Sequence, residues 1–193
     1  MQKDRWQFWI DVGGTFTDCL ARTPNGNILR HKLLSSGVTK GTVGEGSTSS
    51  AIFDELRAGD PVSFWNGAQL RLLRSGGSVE EENRIAEFDP RTGMQLEGKL
   101  QTSPRVGQAY ELRTGEEAPI LAVRWLLRLA ADETVPPIAM RLGTTRGTNA
   151  LLTRTGARTA LVTTKGFGDI LHIGYQNRPR LFDLNIKKPS PVF

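Results

Sequence analysis

The chain has 193 residues, of which 38% are hydrophobic and 23% charged, with 21 glycines and 10 prolines. This globular composition, rich in turns, excludes a disordered or collagen-like chain. The net charge of +5 is local, because residues 141–193 hold nine basic and two acidic side chains. They form no compact run with interleaved aromatic residues, so we expect a solvated face, a domain interface or a small anionic ligand rather than nucleic acid.

The sequence contains few signals for compartment or metal. No apolar stretch approaches the roughly 20 residues that a membrane span requires, and the first residues lack the apolar core of a secretory signal. The single cysteine, Cys19, excludes an intrachain disulfide, and two histidines are too few for a multi-histidine zinc site. We therefore expect a cytoplasmic protein with no membrane partner, in which Cys19 is a small buried apolar residue.

The first strands are predicted to form an antiparallel meander. Apolar and polar residues alternate over residues 6–12, Gly13-Gly14 interrupts the pattern, and residues 15–22 have the pattern of a second strand. The turn sequence at residues 24–27 then predicts a hairpin to a third strand at residues 28–34.

The middle of the chain is predicted to be a small antiparallel β excursion, with the hairpin signals Asn66-Gly67 and Pro90-Arg91-Thr92-Gly93. A short helix over residues 51–57, capped by Ser47 or Thr48, is predicted to precede it.

Strands and helices alternate in the remainder of the predicted structure. Thr114 and Glu117 have the spacing of a capping box that opens the longest helix, whose apolar residues recur at helical spacing. Strands at residues 138–142 and 159–164 are each followed by a short helix, and these predicted helices cover residues 147–154 and 170–173.

The most specific motif is Asp-Val-Gly-Gly-Thr-Phe-Thr-Asp at residues 11–18. Glycines let backbone N–H groups approach phosphate oxygens, hydroxyls can donate hydrogen bonds to them, and a carboxylate can hold Mg²⁺. The alternative is an ordinary Gly-Gly turn with polar flanks, but an aspartate on each side favours a phosphate hairpin. The candidate ligands of phosphate are Gly13, Gly14, Thr15, Thr17 and Asp18, and the candidate metal ligand and catalytic residue is Asp11.

A second candidate contact to substrate or phosphate is the loop Gly143-Thr144-Thr145, between a predicted strand and a predicted helix. Free N–H groups and the partial positive charge of a helix N-terminus favour an anion there. The structural alternative is that a threonine only caps the helix. Asn149, on the first turns of that helix, is a further candidate with the same structural alternative.

These motifs resemble a known family. Residues 11–18 look like the first phosphate motif of the actin, sugar kinase and heat-shock ATPase superfamily, in the variant found at the N-terminus of the hydantoinase and 5-oxoprolinase family. The stretches at residues 143–152, 156–167, 169–174 and 178–184 are also similar to that family's pattern.

The resemblance and the order of elements imply an α/β, ribonuclease-H-like (actin-like ATPase) fold that opens with an antiparallel meander. Residues 1–42 would form the first part of the nucleotide-binding domain, and residues 43–113 a β-rich insertion. Residues 114–184 would form the second part of the α/β domain, and residues 185–193 a linker to C-terminal domains that this chain lacks.

The resemblance further implies an ATP- and Mg²⁺-dependent hydrolase that opens a cyclic amide, 5-oxo-L-proline or a hydantoin. Transfer of the γ-phosphoryl group to the amide oxygen would remove the resonance that protects the ring from water. The expected partners are ATP, the cyclic amide, the missing domains and further copies in a homo-oligomer. The chain alone should turn over poorly, because the superfamily binds nucleotide between two domains.

Three other functions remain open at this point. A ketone carboxylase subunit of the same family would use the same phosphate loop to activate a different substrate. A sugar-kinase-like phosphotransferase and a nonenzymatic nucleotide sensor are the alternatives from other classes.

Overall fold

The computed structural model describes residues 5–175, 182, 184 and 185, and the chain divides into two compact units, Met1–Thr145 and Arg146–Phe193. The described part is mixed α/β with strands predominating, which confirms the predicted α/β class. Its elements are β1 (Gln7–Val12), β2 (Phe16–Arg22), β3 (Ile28–Leu34), β4 (Thr39–Thr42), β5 (Ala51–Ile52), β6 (Gln69–Leu73), β7 (Val79–Asp89), β8 (Gly93–Leu96), β9 (Ala109–Arg113), α1 (Ala118–Leu127), β10 (Ala139–Thr144), α2 (Arg146–Thr153) and α3 (Ile170–Ile173).

The first sheet of unit Met1–Thr145 contains the predicted meander and one strand from much later in the chain. Its order is β10-β1-β2-β3, with β1, β2 and β3 antiparallel and β10 parallel to β1. Alternate residues of β1 and β2 face α1, because successive side chains of a strand point to opposite faces. The core between this sheet and α1 includes Phe8, Ile10, Val12, Cys19, Ala21, Ala122, Val123 and Leu126.

Cys19 is buried in this core, as predicted. Burial raises the pKa of its thiol to about 11, because desolvation disfavours the thiolate. The residue therefore packs as a small apolar group and has little thiolate character at neutral pH.

The second sheet has six antiparallel strands in the order β4-β9-β6-β7-β8-β5. All six lie between β3 and α1 in the chain, and the first begins at Thr39, before the predicted boundary at residue 43. Its core is built around large buried side chains such as Ile52, Leu70 and Tyr110. Leu33 and Trp125 pack against both cores, so the two sheets share these contacts.

One of the two hairpins predicted in the second sheet is confirmed, and the other is wrong. The turn over residues 90–92 joins β7 to β8 as predicted, whereas Asn66-Gly67 precedes β6 and joins no pair of strands. The hairpin between β6 and β7 turns instead at Gly76-Gly77, where Gly77 has φ +81° and the N–H of Arg74 donates to the carbonyl of Ser78. A positive φ favours glycine at this position.

The helix predicted over residues 51–57 is wrong. Ala51 and Ile52 form β5, and only a 3₁₀ turn, Glu55–Arg57, follows. Its cap is Asp54, whose carboxylate accepts a hydrogen bond from the N–H of Leu56 at 2.9 Å. Ile52 is fully buried, and the burial of this side chain against the sheet outweighs the local helix signal.

Helix α1 forms where a helix was predicted, but the predicted capping box is wrong. Glu117 occupies the N-cap position without a side-chain capping bond, and the Thr114 hydroxyl accepts from the N–H of Glu116 instead. Proline in the first turn is compatible with this start, because the first N–H groups have no partner in the helix. The helix ends at Arg128, which has the left-handed φ of 61°.

The unit Arg146–Phe193 contains α2 and α3, close to the predicted helices. The strand predicted at residues 159–164 is wrong, because this segment is irregular and exposed, with Val162 92% accessible. A strand is completed by pairing with a neighbour, and no strand of the described chain pairs with it. In the sequence, Arg178, Arg180 and Asp183 suggest a charged cluster that binds a substrate carboxylate or forms an interdomain salt-bridge network. These three residues lie outside the described residues.

None of the helices in the described residues is long and apolar enough to cross a membrane.

Candidate functional site

The turn between β1 and β2 is closed by a hydrogen bond from the N–H of Gly13 to the carbonyl of Phe16 at 3.0 Å. A Cβ on Gly13 would lie 2.9 Å from the same carbonyl oxygen. Because that neighbour is backbone, any side chain at this position would force the turn to open. Gly13 is therefore required by the closure of the turn itself.

Two aspartates lie opposite each other on the face of the first sheet away from α1. The register pairs Asp11 with Asp18, and both are exposed. Lys32 on β3 contacts both carboxylate oxygens of Asp18, at 2.9 and 3.0 Å. The carboxylate of Asp11 accepts no hydrogen bond from the described residues, so it is available to a ligand.

The end of β10 lies beside the end of β1. The parallel register pairs Asp11 with Gly143, and the N–H of Thr145 donates to the carbonyl of Val12 at 3.2 Å. The Thr144 hydroxyl approaches the same carbonyl at 3.4 Å. The structure thus brings together the turn at residues 13–15 and the loop Gly143-Thr144-Thr145, which are about 130 positions apart in the sequence.

The face that carries Asp11 also has a shallow cavity of about 370 Å³, lined by Trp9, Asp11, Asp18, Leu20, Arg141 and Gly143 among others. The guanidinium of Arg141 lies 5.2 Å from the centre of the Trp9 ring, a cation–π arrangement. Acidic and basic groups therefore both border this cavity.

Metal binding is compatible with a small number of protein ligands here. The described residues contain no group of three or more His, Cys, Asp or Glu side chains arranged for a metal. Mg²⁺ is commonly held by only one or two carboxylates, with water and substrate phosphates completing its shell. An exposed carboxylate at Asp11 beside a glycine turn fits that requirement.

The remaining predicted ligands differ in position. Thr15 is exposed beside the turn, whereas Thr17 is fully buried on the α1 side of the sheet. The Thr17 hydroxyl is hydrogen-bonded to the Ser35 hydroxyl at 2.9 Å, so in this arrangement it is not presented to a phosphate. Asn149 lies on α2 in the second unit, and its contact stays a prediction.

Sequence reasoning missed Ser35, Lys32 and Arg141. Ser35 and Lys32 could have been found by writing out the register of the meander, which pairs Asp18 with Lys32 and brings Ser35 beside Thr15. Arg141 was counted only as part of the basic excess, and nothing local to it indicates that its strand is parallel to β1.

Two other carboxylates, Asp54 and Asp60, are fully engaged by protein groups. Asp60 accepts hydrogen bonds from the indole N–H groups of Trp65 at 2.7 Å and Trp125 at 2.9 Å, and it pairs with Arg57 at 3.2 Å. Asp54 accepts from the Tyr110 hydroxyl at 2.5 Å. Burial, together with this hydrogen bond, raises the pKa of Tyr110. All four carboxylate oxygens of these two residues therefore have protein partners, and these contacts stabilise the fold.

Comparison with known proteins defines the family. The model of the hydantoinase/oxoprolinase N-terminal region matches residues 95–192, about half of the chain. The chain therefore belongs to the hydantoinase/oxoprolinase family, as the sequence motifs indicated. The matched residues include the loop Gly143-Thr144-Thr145 and exclude the turn at residues 13–15.

Individual relatives agree with this assignment. The chain is 44% identical over 86 residues to 5-oxoprolinase of Saccharomyces cerevisiae, and 41% identical over 87 residues to 5-oxoprolinase 1 of Arabidopsis thaliana. Each alignment covers 40% of this chain and 7% of the relative. A 5-oxoprolinase of Dictyostelium discoideum is 56% identical over 55 residues, 28% of this chain and 4% of that protein. The chain thus spans only a small part of the length of these relatives. No solved structure matches the chain.

Proposed function

We propose that the chain is the N-terminal part of an ATP-dependent cyclic amide hydrolase that opens 5-oxo-L-proline or a hydantoin. The observation that carries this proposal is the meeting of the glycine turn after β1 with the loop after β10. Ligands of α/β proteins commonly bind where the carboxyl ends of parallel strands meet. The names of the 5-oxoprolinase relatives support the substrate class.

The order of the first sheet supports a ribonuclease-H-like, actin-like fold for the nucleotide-binding part. Three antiparallel strands in chain order are followed by a fourth that is parallel to the first and adjacent to it. Helix α1 precedes that fourth strand in the chain and packs on the meander. The second sheet is then an insertion between β3 and α1.

The residues at the turn are suited to ATP and Mg²⁺. Asp11 would hold the metal, since its carboxylate is exposed and accepts no hydrogen bond from the described chain. Gly14 would present its backbone N–H group to phosphate, next to Gly13, whose own N–H closes the turn. The exposed Thr15 would donate its hydroxyl. ATP would supply the phosphoryl group that activates the amide carbonyl.

The other residues of the site would border the phosphate and balance its charge. Asp18 would be peripheral, because Lys32 already balances its charge and limits repulsion of phosphate. Gly143, Thr144 and Thr145 would border the phosphate site from β10. The chemical step itself would need positioning and charge stabilisation from both sides of a cleft.

The test is steady-state release of glutamate and phosphate by the full gene product, with 5-oxoproline, acetone and a hexose supplied in turn with MgATP. Of the three substrates, we expect only 5-oxoproline to give equal amounts of glutamate and phosphate. Phosphate release that depends on acetone would indicate a ketone carboxylase, and a phosphorylated hexose would indicate a kinase. Either result in the absence of lactam opening would overturn the proposal.

Residues 1–193 alone should turn over poorly. Losing one side of the cleft removes charge stabilisation from the transition state, which we expect to cost orders of magnitude in rate. Robust ATP-dependent opening of 5-oxoproline by these residues alone would contradict this part of the proposal.

A further inference from the structure

Ser35 contacts both arms of the turn between β1 and β2. It directly follows the end of β3, and its N–H donates to the carbonyl of Thr15 at 2.9 Å. Its hydroxyl donates to the carbonyl of Gly13 at 2.8 Å. One serine therefore fixes the direction of two carbonyl groups within the turn.

Thr17 completes this arrangement from the buried side of β2. A serine hydroxyl has a single hydrogen, and that of Ser35 is used toward the carbonyl of Gly13. In the 2.9 Å bond between the two hydroxyls, Thr17 is therefore the donor and Ser35 the acceptor. Thr17 is fully buried, so its hydroxyl holds the Ser35 side chain in one orientation.

The direction of the Gly13 carbonyl determines the direction of the next N–H group. Peptide bonds are planar, and none in the described residues is cis. In a trans peptide the N–H points away from the carbonyl of the same peptide plane. With the Gly13 carbonyl held toward Ser35, the N–H of Gly14 is directed to the opposite side.

We propose that Thr17 and Ser35 form a hydroxyl clasp, Thr17 to Ser35 to the Gly13 carbonyl, which positions the Gly14 N–H for phosphate. Ser35 and Thr17 are positioning residues, since they act through the backbone of the turn. This inference rests on the proposed function, and it assigns Thr17 a role different from the direct phosphate contact that the sequence suggested.

The experiment compares Ser35→Ala and Thr17→Val with two controls in the full gene product. Ser36→Ala removes the neighbouring, exposed hydroxyl, which accepts only a 3.4 Å contact from the N–H of Val38. Thr17→Ser keeps the hydroxyl of the clasp and should behave like the wild type. The readouts are kcat and KM for MgATP, and hydrogen exchange of residues 13–17 without nucleotide.

We expect Ser35→Ala and Thr17→Val to raise KM for MgATP about fivefold to tenfold, the size of one lost hydrogen bond. We expect kcat to stay within about twofold, because ground state and transition state lose the same contact. Exchange of residues 13–17 should become several-fold faster in both variants and stay unchanged in both controls.

Unchanged kinetics together with unchanged exchange would overturn the proposal. If Thr17→Val and Ser35→Ala fold but keep the wild-type KM and exchange rate, the clasp does not position the turn. If Ser35→Ala does not fold, the comparison of Thr17→Val with Thr17→Ser tests the clasp, again by KM for MgATP and by the exchange rate of residues 13–17. If the wild type shows no ATP-dependent turnover, the proposed function fails and the clasp loses its phosphate role, whereas the exchange rates still decide whether it orders the turn.

Discussion

Asp11 and Asp60 are both acidic residues next to a turn, but their surroundings are opposite. Asp60 is buried, and its carboxylate oxygens receive two indole N–H groups and an arginine. Asp11 is exposed and accepts no hydrogen bond from the described chain. A carboxylate whose charge is already compensated stabilises the fold, whereas one left uncompensated beside a glycine turn can bind a cation. The set of protein donors, rather than the residue type, separates the two roles.

The largest effect on stability is expected for Asp60→Ala. Removing this carboxylate leaves the mostly buried Arg57 without its short ion pair and two indole N–H groups without an acceptor. We expect the free energy of unfolding to fall by about 3–5 kcal/mol, measured by urea denaturation. Asp18→Ala, which breaks the exposed pair with Lys32, should change it by less than about 1 kcal/mol. Equal effects of the two variants would remove the distinction between compensated and available carboxylates.

Gly13→Ala should have the next largest effect. The added Cβ would lie 2.9 Å from the Phe16 carbonyl oxygen, so the turn must shift and weaken its closing hydrogen bond. We expect a loss of about 1–3 kcal/mol in the free energy of unfolding, together with a raised KM for MgATP. Gly59→Ala is the matched control, because nothing lies within 4 Å of a Cβ there. A Gly13→Ala protein as stable as this control would show that close approach does not select the glycine.

His31 offers a smaller, pH-dependent test of the packing around Asp60. Its ring stacks on Trp125 at 4.3 Å, and burial lowers its pKa below the ordinary 6.5, with Asp60 opposing and Arg57 reinforcing the shift. As pH falls below 6.5, the unfolded chain takes up the proton first, so stability decreases toward the lowered folded pKa. The loss of stability between pH 7.5 and 5.5 should therefore be smaller in His31→Phe than in the wild type. Equal losses would show that His31 does not contribute.

Lys32→Met should have the smallest effect. The ion pair with Asp18 is more than half exposed on both sides, so stability should change by less than about 1 kcal/mol. With Asp18 no longer compensated, the negative potential near Asp11 rises, and we expect KM for MgATP to increase about twofold at low salt. The increase should disappear at high ionic strength, where exposed charges are screened. A salt-independent increase would indicate a direct contact of Lys32 with the ligand.

The sequence predicted the fold best where local patterns and pairing agree. Buried residues alternate with more exposed ones along β1 and β2. Short turns join all three strands of the meander, so their limits could be predicted almost to the residue. The predicted helix at residues 51–57 and the predicted strand at residues 159–164 are wrong for opposite reasons. At Ile52, burial and the pairing of β5 with the distant strand β8 override a helical pattern. Residues 159–164 have strand-forming composition but no paired neighbour in the described chain.

The candidate site was only partly predictable, for a related reason. Asp11 and the glycines are contiguous in the sequence, and their chemistry is visible there. That Gly143 lies beside Asp11 depends on the parallel pairing of β1 with β10, which no local pattern specifies. The predicted direct contact of Thr17 with phosphate did not take into account the alternation along β2, which places Thr17 on the face opposite Asp18.

The central claim, that Asp11 is left available in order to hold a metal against phosphate, is tested most directly by Asp11→Asn in the full gene product. We expect ATP-dependent turnover to fall about 100-fold or more, because the charge that supports the metal is lost while the shape is preserved. The melting temperature should stay at the wild-type value, since the described chain makes no hydrogen bond to this carboxylate. Near wild-type ATP hydrolysis with unchanged Mg²⁺ dependence would contradict the account and make Asp11 an ordinary residue of the turn.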